Sequence, residues 1–431
     1  MSMKNVIGNL LRTVELPRMV IELVSFLHTA DWQIGMKASR VADVAEDVRK
    51  ARLDTARQLM RMASQREVDF VLIAGDLFEN NLVHNEASHR VAEVLSTCSP
   101  IPVYVLPGNH DPLTADSIYG RLAFTDYLPG NVHILRTSEP VSPVPGVLLL
   151  PTPVMSKESY RDPTEEFQIP SEMGEDLILI GIAHGSLSIP GKFQENDFPI
   201  ALDAATRLGL DYLALGHWHS FYVHNDKRTV YAGTHEPTGF DSQSKGAAAY
   251  VTIKAKGSLP NIEQLDTGTL SWQTLQLSVD GDPDHVISRV KHEVGKVQNP
   301  SAALLRLELK GHAESDDLEW LKELNDWLKT CFLYIEIDRS RLITRPVGRR
   351  LKKLAADNPF LQAIISDLAD VAFALGQPIQ DLPDDLASAG GRDSDIIDDK
   401  LQDYLDGWGI CAEDVEEALI MLASIAEEVL S

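Results

Sequence analysis

The run Pro102-Val103-Tyr104-Val105-Leu106-Pro107-Gly108-Asn109-His110-Asp111 decides the fold. Five residues of strand character pass through a glycine turn into carboxamide, imidazole and carboxylate side chains, a polar group with no packing purpose. Four more stretches in the first 220 residues repeat the arrangement. Val20–His28 leads to Asp31-Trp32-Gln33, and Phe70–Ala74 to Gly75-Asp76. Leu177–Ala183 leads to His184-Gly185, and Tyr212–Leu215 to Gly216-His217-Trp218-His219. Short, nearly continuous apolar runs read as strands buried on both faces. A polar cluster after each one delivers its chemistry to the C-terminal strand ends, where an α/β fold builds a site.

Between these runs the apolar period changes. Arg40–Gln65 carries Val41, Val44, Val48, Leu53, Ala56, Leu59 and Met62 at helical spacing, and His84–Ser96 and Pro199–Leu208 predict further helices. After Tyr212 strands dominate: Phe221–His224, Thr229–Ala232, Ala248–Ile253, Ile262–Leu265 and Ser271–Leu277. The predicted fold class is α/β, with two mixed sheets face to face and helices outside, a four-layer α-β-β-α sandwich. Gly281-Asp282-Pro283-Asp284 marks a boundary. Beyond it helix, strand, helix and strand follow at His285–Val297, Ala303–Leu309, Asp316–Lys329 and Cys331–Ile337, a small α+β unit. A basic stretch from Arg341 to Lys353 then leads to helices predicted at Asn358–Leu375, Asp399–Tyr404 and Ala412–Val429. The expected organisation is an N-terminal extension (1–19), a main domain (20–279), a small domain (280–345) and a helical C-terminal region (346–431).

Composition narrows the function. The 431 residues are 44% hydrophobic and 24% charged, which fits a globular chain with an ample core. No apolar run approaches the roughly 20 residues that span a bilayer. Cys98, Cys331 and Cys411 lie far apart in no metal-binding spacing, which fits a reducing cytosol. The net charge of −25 argues against a surface that grips nucleic acid by charge all over. From Ala355 onward 18 acidic residues face 2 basic ones, so the C-terminal region carries most of that charge.

The polar clusters combine hard oxygen with imidazole nitrogen and contain no cysteine. That set suits two divalent ions, Mn²⁺ or Mg²⁺, better than a structural zinc. Asp76 ends a buried strand, where a carboxylate needs a cation beside it, and a bridging role between two metals supplies one. Asp31, Gln33 and His219 complete one metal's shell, and Asn109, His184 and His217 the other. His110 adjoins Asn109 and is assigned to stabilising the transition state or protonating the leaving oxygen, with Asp111 orienting its ring. No serine or cysteine sits in a comparable constellation.

On these residues the chain resembles the calcineurin-like metallophosphoesterases, and within them the SbcD-like nucleases of double-strand-break repair. The resemblance rests on Phe26-Leu27-His28-Thr29-Ala30-Asp31-Trp32, on Gly75-Asp76-Leu77-Phe78, and on Tyr231-Ala232-Gly233-Thr234-His235-Glu236-Pro237-Thr238-Gly239-Phe240. It implies Mn²⁺-dependent exonucleolytic and endonucleolytic cleavage of DNA in a cytoplasmic, nucleoid-associated complex with an SbcC-like, SMC-type ATPase. It also implies a capping domain at 280–345, ATPase docking by the C-terminal helices, and a homodimer formed through helices between Arg40 and Ser96. Arg345, Arg349 and Arg350 are the candidate DNA contacts. Two positions depart from the family pattern: Gln33 stands where histidine is usual, and Glu79 where histidine or aspartate is common. Gln33 should weaken its metal. Other readings are a phosphatase or cyclic-nucleotide phosphodiesterase with a small substrate, and a scaffold whose site has decayed at Gln33.

Overall fold

The computed structural model describes residues 23–171, 176–192, 194–240, 245–281, 283–313, 319–344 and 358–374, with 414, 418 and 422 as single helical positions. They fall into two compact units divided between Trp272 and Gln273. The first unit begins with β1 (Val24–Thr29), β2 (Phe70–Ala74), β3 (Val103–Leu106) and β4 (Val132–Ile134), which pair in parallel. A second sheet follows from β5 (Val147–Pro151), β6 (Ile178–His184), β7 (Tyr212–Gly216), β8 (Tyr222–Val223) and β9 (Thr229–Tyr231), in the order β5-β6-β7-β9-β8. The chain then returns to the first sheet with β10 (Ala247–Ile253), antiparallel to β1, and β11 (Asn261–Asp266) at the edge.

Strand alternation sorts the core into layers. Phe70, Leu72 and Ala74 of β2 face Ile178, Ile180 and Tyr212 between the sheets, where Phe26 stacks on Phe70 with centroids 5.0 Å apart. Val71 and Ile73 point the other way, onto α1 (Ala45–Gln65) and α2 (Asn85–Ser96). Helix α1 buries Leu53, Ala56, Leu59, Met60 and Ala63 on that face, the stripe its sequence period requires. Full burial of a leucine or methionine side chain in this stripe contributes about 1.5–3 kcal/mol, and an alanine less.

The outer face of the second sheet is covered by less helix than expected, although its side chains are buried. The helix predicted at Pro199–Leu208 is reduced to the single turn Ala204–Arg207. Residues 196–200 pair with strand-like segments instead, through bridges Ser159 to Asp197 and Leu187 to Ile200. Proline at 199 does not block this, because the pairing amides come from Phe198 and Ile200. The detour carries Asp197 to the site.

The second unit is built on β12 (Ser271–Gly281), β13 (Ala303–Ala313) and β14 (Tyr334–Thr344), in that order, with β13 and β14 parallel. β12 runs on from the first unit through Gly281. Leu305, Leu307 and Leu309 of β13 alternate inward onto Val286, Val290 and Val294 of α3 (Pro283–Val294) and onto Leu321, Leu324 and Leu328 of α4 (Glu319–Cys331). A further helix, α5, spans Pro359–Ala374. No helix among the described residues is long and apolar enough to cross a membrane. The expected extension 1–19, the stretch 345–353 and the helix at Asp399–Tyr404 lie outside the described residues, as does that at Ala412–Val429 apart from positions 414, 418 and 422.

Candidate metal centre

The site assembles where β1, β2, β3, β6 and β7 end. The turns after β1 and β2 run side by side: the Asp31 amide donates to the Gly75 carbonyl at 3.1 Å, and the Gln33 amide to the Asp76 carbonyl at 2.8 Å. Asp31, Gln33 and Asp76 all hold left-handed backbone, with φ of 54°, 45° and 54°. Such conformations are costly for residues with a Cβ and cluster at functional sites. The glycines of the motifs make room for this crowding. A Cβ on Gly75 would lie 2.0 Å from Nδ1 of His184, and one on Gly108 2.2 Å from Oδ1 of Asp76.

Asp31, Asp76 and His184 are buried, and their ligand atoms all lie within 4.8 Å of one another. Nε2 of His184 is 3.4 Å from Oδ2 of Asp76 and 2.9 Å from Oδ1 of Asn109. Nδ1 of His217 is 3.1 Å from the same Asn109 oxygen. The opposite ring nitrogens have their own acceptors: Nδ1 of His184 donates to the Ala74 carbonyl at 2.9 Å, and Nε2 of His217 to Oδ2 of Asp197 at 2.8 Å. With those protons placed by the hydrogen-bond pattern, the second nitrogen of each ring is aimed at one carbonyl oxygen, and a ring without a proton there turns a lone pair toward it. Lone pairs do not satisfy one another, but a cation between them satisfies all three. The donor set therefore fits a divalent ion.

The protonation pattern agrees. Burial opposes a charge on His184, yet Asp76 and then Asp31 outweigh it and hold its pKa at about 9. A proton there does part of the work of a metal. Asp31 is pushed up to about 8 by burial, with Asp76 adding to the rise and His184 opposing it. Asp76 is held at about 2 against its burial by His184 and His110. His219 is lowered to about 4 by burial and by Arg52, so it is neutral, the form a metal requires. Its Nδ1 lies 3.4 Å from Oγ1 of Thr238. The backbone amide of His217 donates to both carboxylate oxygens of Asp31, at 3.0 and 3.1 Å. Gln33 is buried beside Asp76 through its main chain.

His110 is half-buried at the rim of the site. Its amide donates to Oδ1 of Asp76 at 2.9 Å and its Nδ1 lies 2.9 Å from the Glu79 carbonyl oxygen. Glu79, not Asp111, therefore orients the ring, which corrects the expectation for Asp111. The Asp111 carboxylate is buried and accepts from the amides of Phe78 and Gly108 and from the Tyr119 hydroxyl, at 2.8, 2.7 and 2.6 Å. It pins the β2 and β3 turns together. Burial, with Asp76 nearby, raises it to about 6.

Sequence reading missed Asp197. It accepts from His217 and, at 2.6 Å, from the Ser186 hydroxyl, which in turn accepts from Trp218 at 3.1 Å. No motif surrounds it; only the pairing of residues 196–200 brings it in. Arg345, Arg349 and Arg350 lie outside the described residues.

Residues 24–221 match the family described as Calcineurin-like phosphoesterase. The chain is 27% identical over 221 residues to the "Uncharacterized metallophosphoesterase YhaO" of Bacillus subtilis, covering 46% of this chain and 50% of that protein. It is 24% identical over 248 residues to the SbcD component of the nuclease SbcCD of Staphylococcus epidermidis, covering 52% and 64%. It is 23% identical over 301 residues to the "DNA double-strand break repair protein Mre11" of Sulfolobus acidocaldarius, covering 67% and 75%. The chain thus spans half to three quarters of the length of these relatives.

Proposed function

Residues 24–221 match the calcineurin-like phosphoesterase family, and we propose that the chain is a divalent-metal-dependent phosphodiesterase that cleaves DNA. The observation that carries this reading is the convergence of His184 Nε2 and His217 Nδ1 on Asn109, beside the buried carboxylates of Asp31 and Asp76. In this reading Asp31, Gln33 and His219 would hold one divalent ion and Asn109, His184 and His217 a second, with the Asp76 carboxylate available to both. When bound, two Mn²⁺ or Mg²⁺ ions supply positive charge for the phosphoryl oxygens and lower the pKa of water.

The chain's own residues do the rest. Asp197 keeps the proton of His217 on Nε2 and leaves Nδ1 to bind. The Glu79 carbonyl keeps the first proton of His110 on Nδ1, so Nε2 is the atom that carries a second proton to the leaving oxygen. Burial of Asp31, Asp76 and His184 excludes bulk water from the ligand cluster and strengthens each of these interactions.

DNA is the preferred substrate on two grounds. The stretch Tyr231–Phe240 resembles that of SbcD-like nucleases, and two relatives are described as part of a nuclease and as a break-repair protein. In this reading residues 280–345 serve as the capping (DNA-binding) domain, and Arg345, Arg349 and Arg350 contact DNA. The region 346–431 docks an SbcC-like ATPase, the nuclease domain dimerises, and the complex works in the cytoplasm at the nucleoid. The test is cleavage of plasmid and short oligonucleotides with millimolar Mn²⁺, comparing the wild type with Asp76→Ala. Cleavage lost in the variant supports the reading. Turnover of bis-p-nitrophenyl phosphate without DNA cleavage, even with the ATPase added, favours a small-substrate phosphodiesterase. Silence on both with no metal bound leaves a scaffold.

A further inference from the structure

Behind the turn that follows β1 lies a buried cation that the chemistry above does not use. Arg52 on α1 is 1% exposed. Its Nε donates to the Trp32 carbonyl at 3.1 Å, and Nη2 donates to the same oxygen and to the Asp31 carbonyl at 3.2 Å. Nη1 donates to the Glu236 carbonyl at 2.7 Å, and Nη2 lies 3.5 Å from Oγ1 of Thr234. The Thr234 hydroxyl lies 2.9 Å from the Asp31 carbonyl and 3.0 Å from that of Glu236.

The second anchor is equally built. The Glu236 carboxylate is fully buried and accepts from the Thr55 hydroxyl at 2.5 Å and from the amides of Thr269 and Leu270, each at 2.8 Å. Thr55 lies one turn along α1 from Arg52. Nε2 of His235 reaches the Arg52 carbonyl at 2.8 Å, and its ring packs 5.3 Å from that of Trp32. One helical turn thus grips both the 31–33 turn and the 234–236 segment. Left-handed backbone at Asp31 and Gln33 persists only where the surroundings over-determine it. The Arg52 fork fixes the carbonyls of Asp31 and Trp32, the peptide planes that link those two ligands.

We propose that Arg52, locked by Thr234 and Glu236, is a positioning residue that sets the geometry of the Asp31, Gln33 and His219 metal position. The proposal rests on the two-metal reading of the site. A lysine in its place has three donors on a single nitrogen and no planar fork, so it cannot match the spacing of the three carbonyls that the three guanidinium nitrogens reach.

The test is Mn²⁺ binding by calorimetry together with the electron paramagnetic resonance signature of a coupled Mn²⁺ pair. It compares the full-length wild type with Arg52→Lys and with Thr234→Val, a nearly isosteric change that spares the guanidinium. Asp211→Asn serves as a control, since Asp211 is a carboxylate 1% exposed that accepts from Leu179 and Gly257. The expected result is two Mn²⁺ in the wild type and one ion weakened about 10–100-fold in Arg52→Lys. The pair signal should give way to that of a single Mn²⁺. Thr234→Val should shift the same ion by a smaller factor and Asp211→Asn neither ion. If Arg52→Lys does not fold, Thr234→Val against Asp211→Asn decides alone. Wild-type affinities in the folded variants, or an equal loss in Asp211→Asn, overturn the proposal while leaving the metal centre standing. A wild type that binds no Mn²⁺ overturns both.

Discussion

Nε2 of His217 donates to Oδ2 of Asp197 across 2.8 Å, although the two residues lie 20 apart in sequence on separate loops. The carboxylate keeps the proton away from Nδ1, the nitrogen that faces Asn109. Partners of this kind orient a ligand histidine and raise its basicity. Asp197→Ala is therefore expected to weaken Mn²⁺ binding about 10–100-fold. Asp197→Asn, which retains an acceptor oxygen, should cost less. Calorimetric Mn²⁺ titration checks the order, and equal affinities in all three proteins would remove Asp197 from the site.

His110 touches Asp76 only through its backbone amide, so its ring is not needed to hold a metal. His110→Ala is expected to keep Mn²⁺ affinity and lose about 10²–10⁴-fold in turnover of bis-p-nitrophenyl phosphate. Loss of metal together with turnover would make it a ligand rather than a proton carrier.

The pH response of the metal-free chain has a definite sign. His184 holds its proton to about 9 when folded, against 6.5 unfolded, and Asp31 to about 8, against 3.8. A folded state that keeps protons longer loses stability as pH rises. Asp31 withdraws its contribution between about pH 4 and 8, and His184 between about pH 6.5 and 9. Asp76 works the other way: held at about 2 against 3.8, it stabilises above about pH 4 and loses this as pH falls toward 2. Metal binding releases the same protons and so strengthens over the same interval. The rise in Tm on adding Mn²⁺ should therefore grow from about pH 6.5 to 8.5. Thermal melts with and without Mn²⁺ at several pH values test this, and a constant or shrinking increment would contradict the assignment.

Gln33 offers a neutral oxygen where imidazole would be a stronger donor. Gln33→His is expected to tighten one of two bound Mn²⁺ ions, on the order of tenfold or about 1.4 kcal/mol. The residue is buried at a left-handed position, and histidine tolerates that backbone better than most. Mn²⁺ titration with two resolved sites is the measurement. No change would place the Gln33 side chain outside the first ion's shell.

Much of the architecture was legible in the residues themselves. Phe70–Ala74 is a strand with the bounds its apolar run predicts, and Asn85–Ser96 a helix within a residue of expectation. Burial on both faces demands an unbroken apolar run, and burial on one face demands helical spacing, so these elements leave a local trace. The segment Pro199–Leu208 failed for the complementary reason. Its apolar residues pack equally well as a short turn preceded by paired chain, and the bridges to Ser159 and Leu187 come from distant sequence.

By itself the sequence determined that carboxylate, carboxamide and imidazole groups gather at the ends of buried strands, because a polar cluster after an apolar run has nowhere else to go. Only the tertiary structure decided which nitrogens His184 and His217 turn toward Asn109, that Glu79 rather than Asp111 steadies His110, and that Asp197 meets His217 and Arg52 the Asp31 carbonyl. Those choices rest on hydrogen bonds between segments tens to nearly two hundred residues apart, such as Arg52 on α1 to Glu236. A hydrogen bond is decided by a few tenths of an ångström in the approach of two loops, and no periodicity along the chain records that approach.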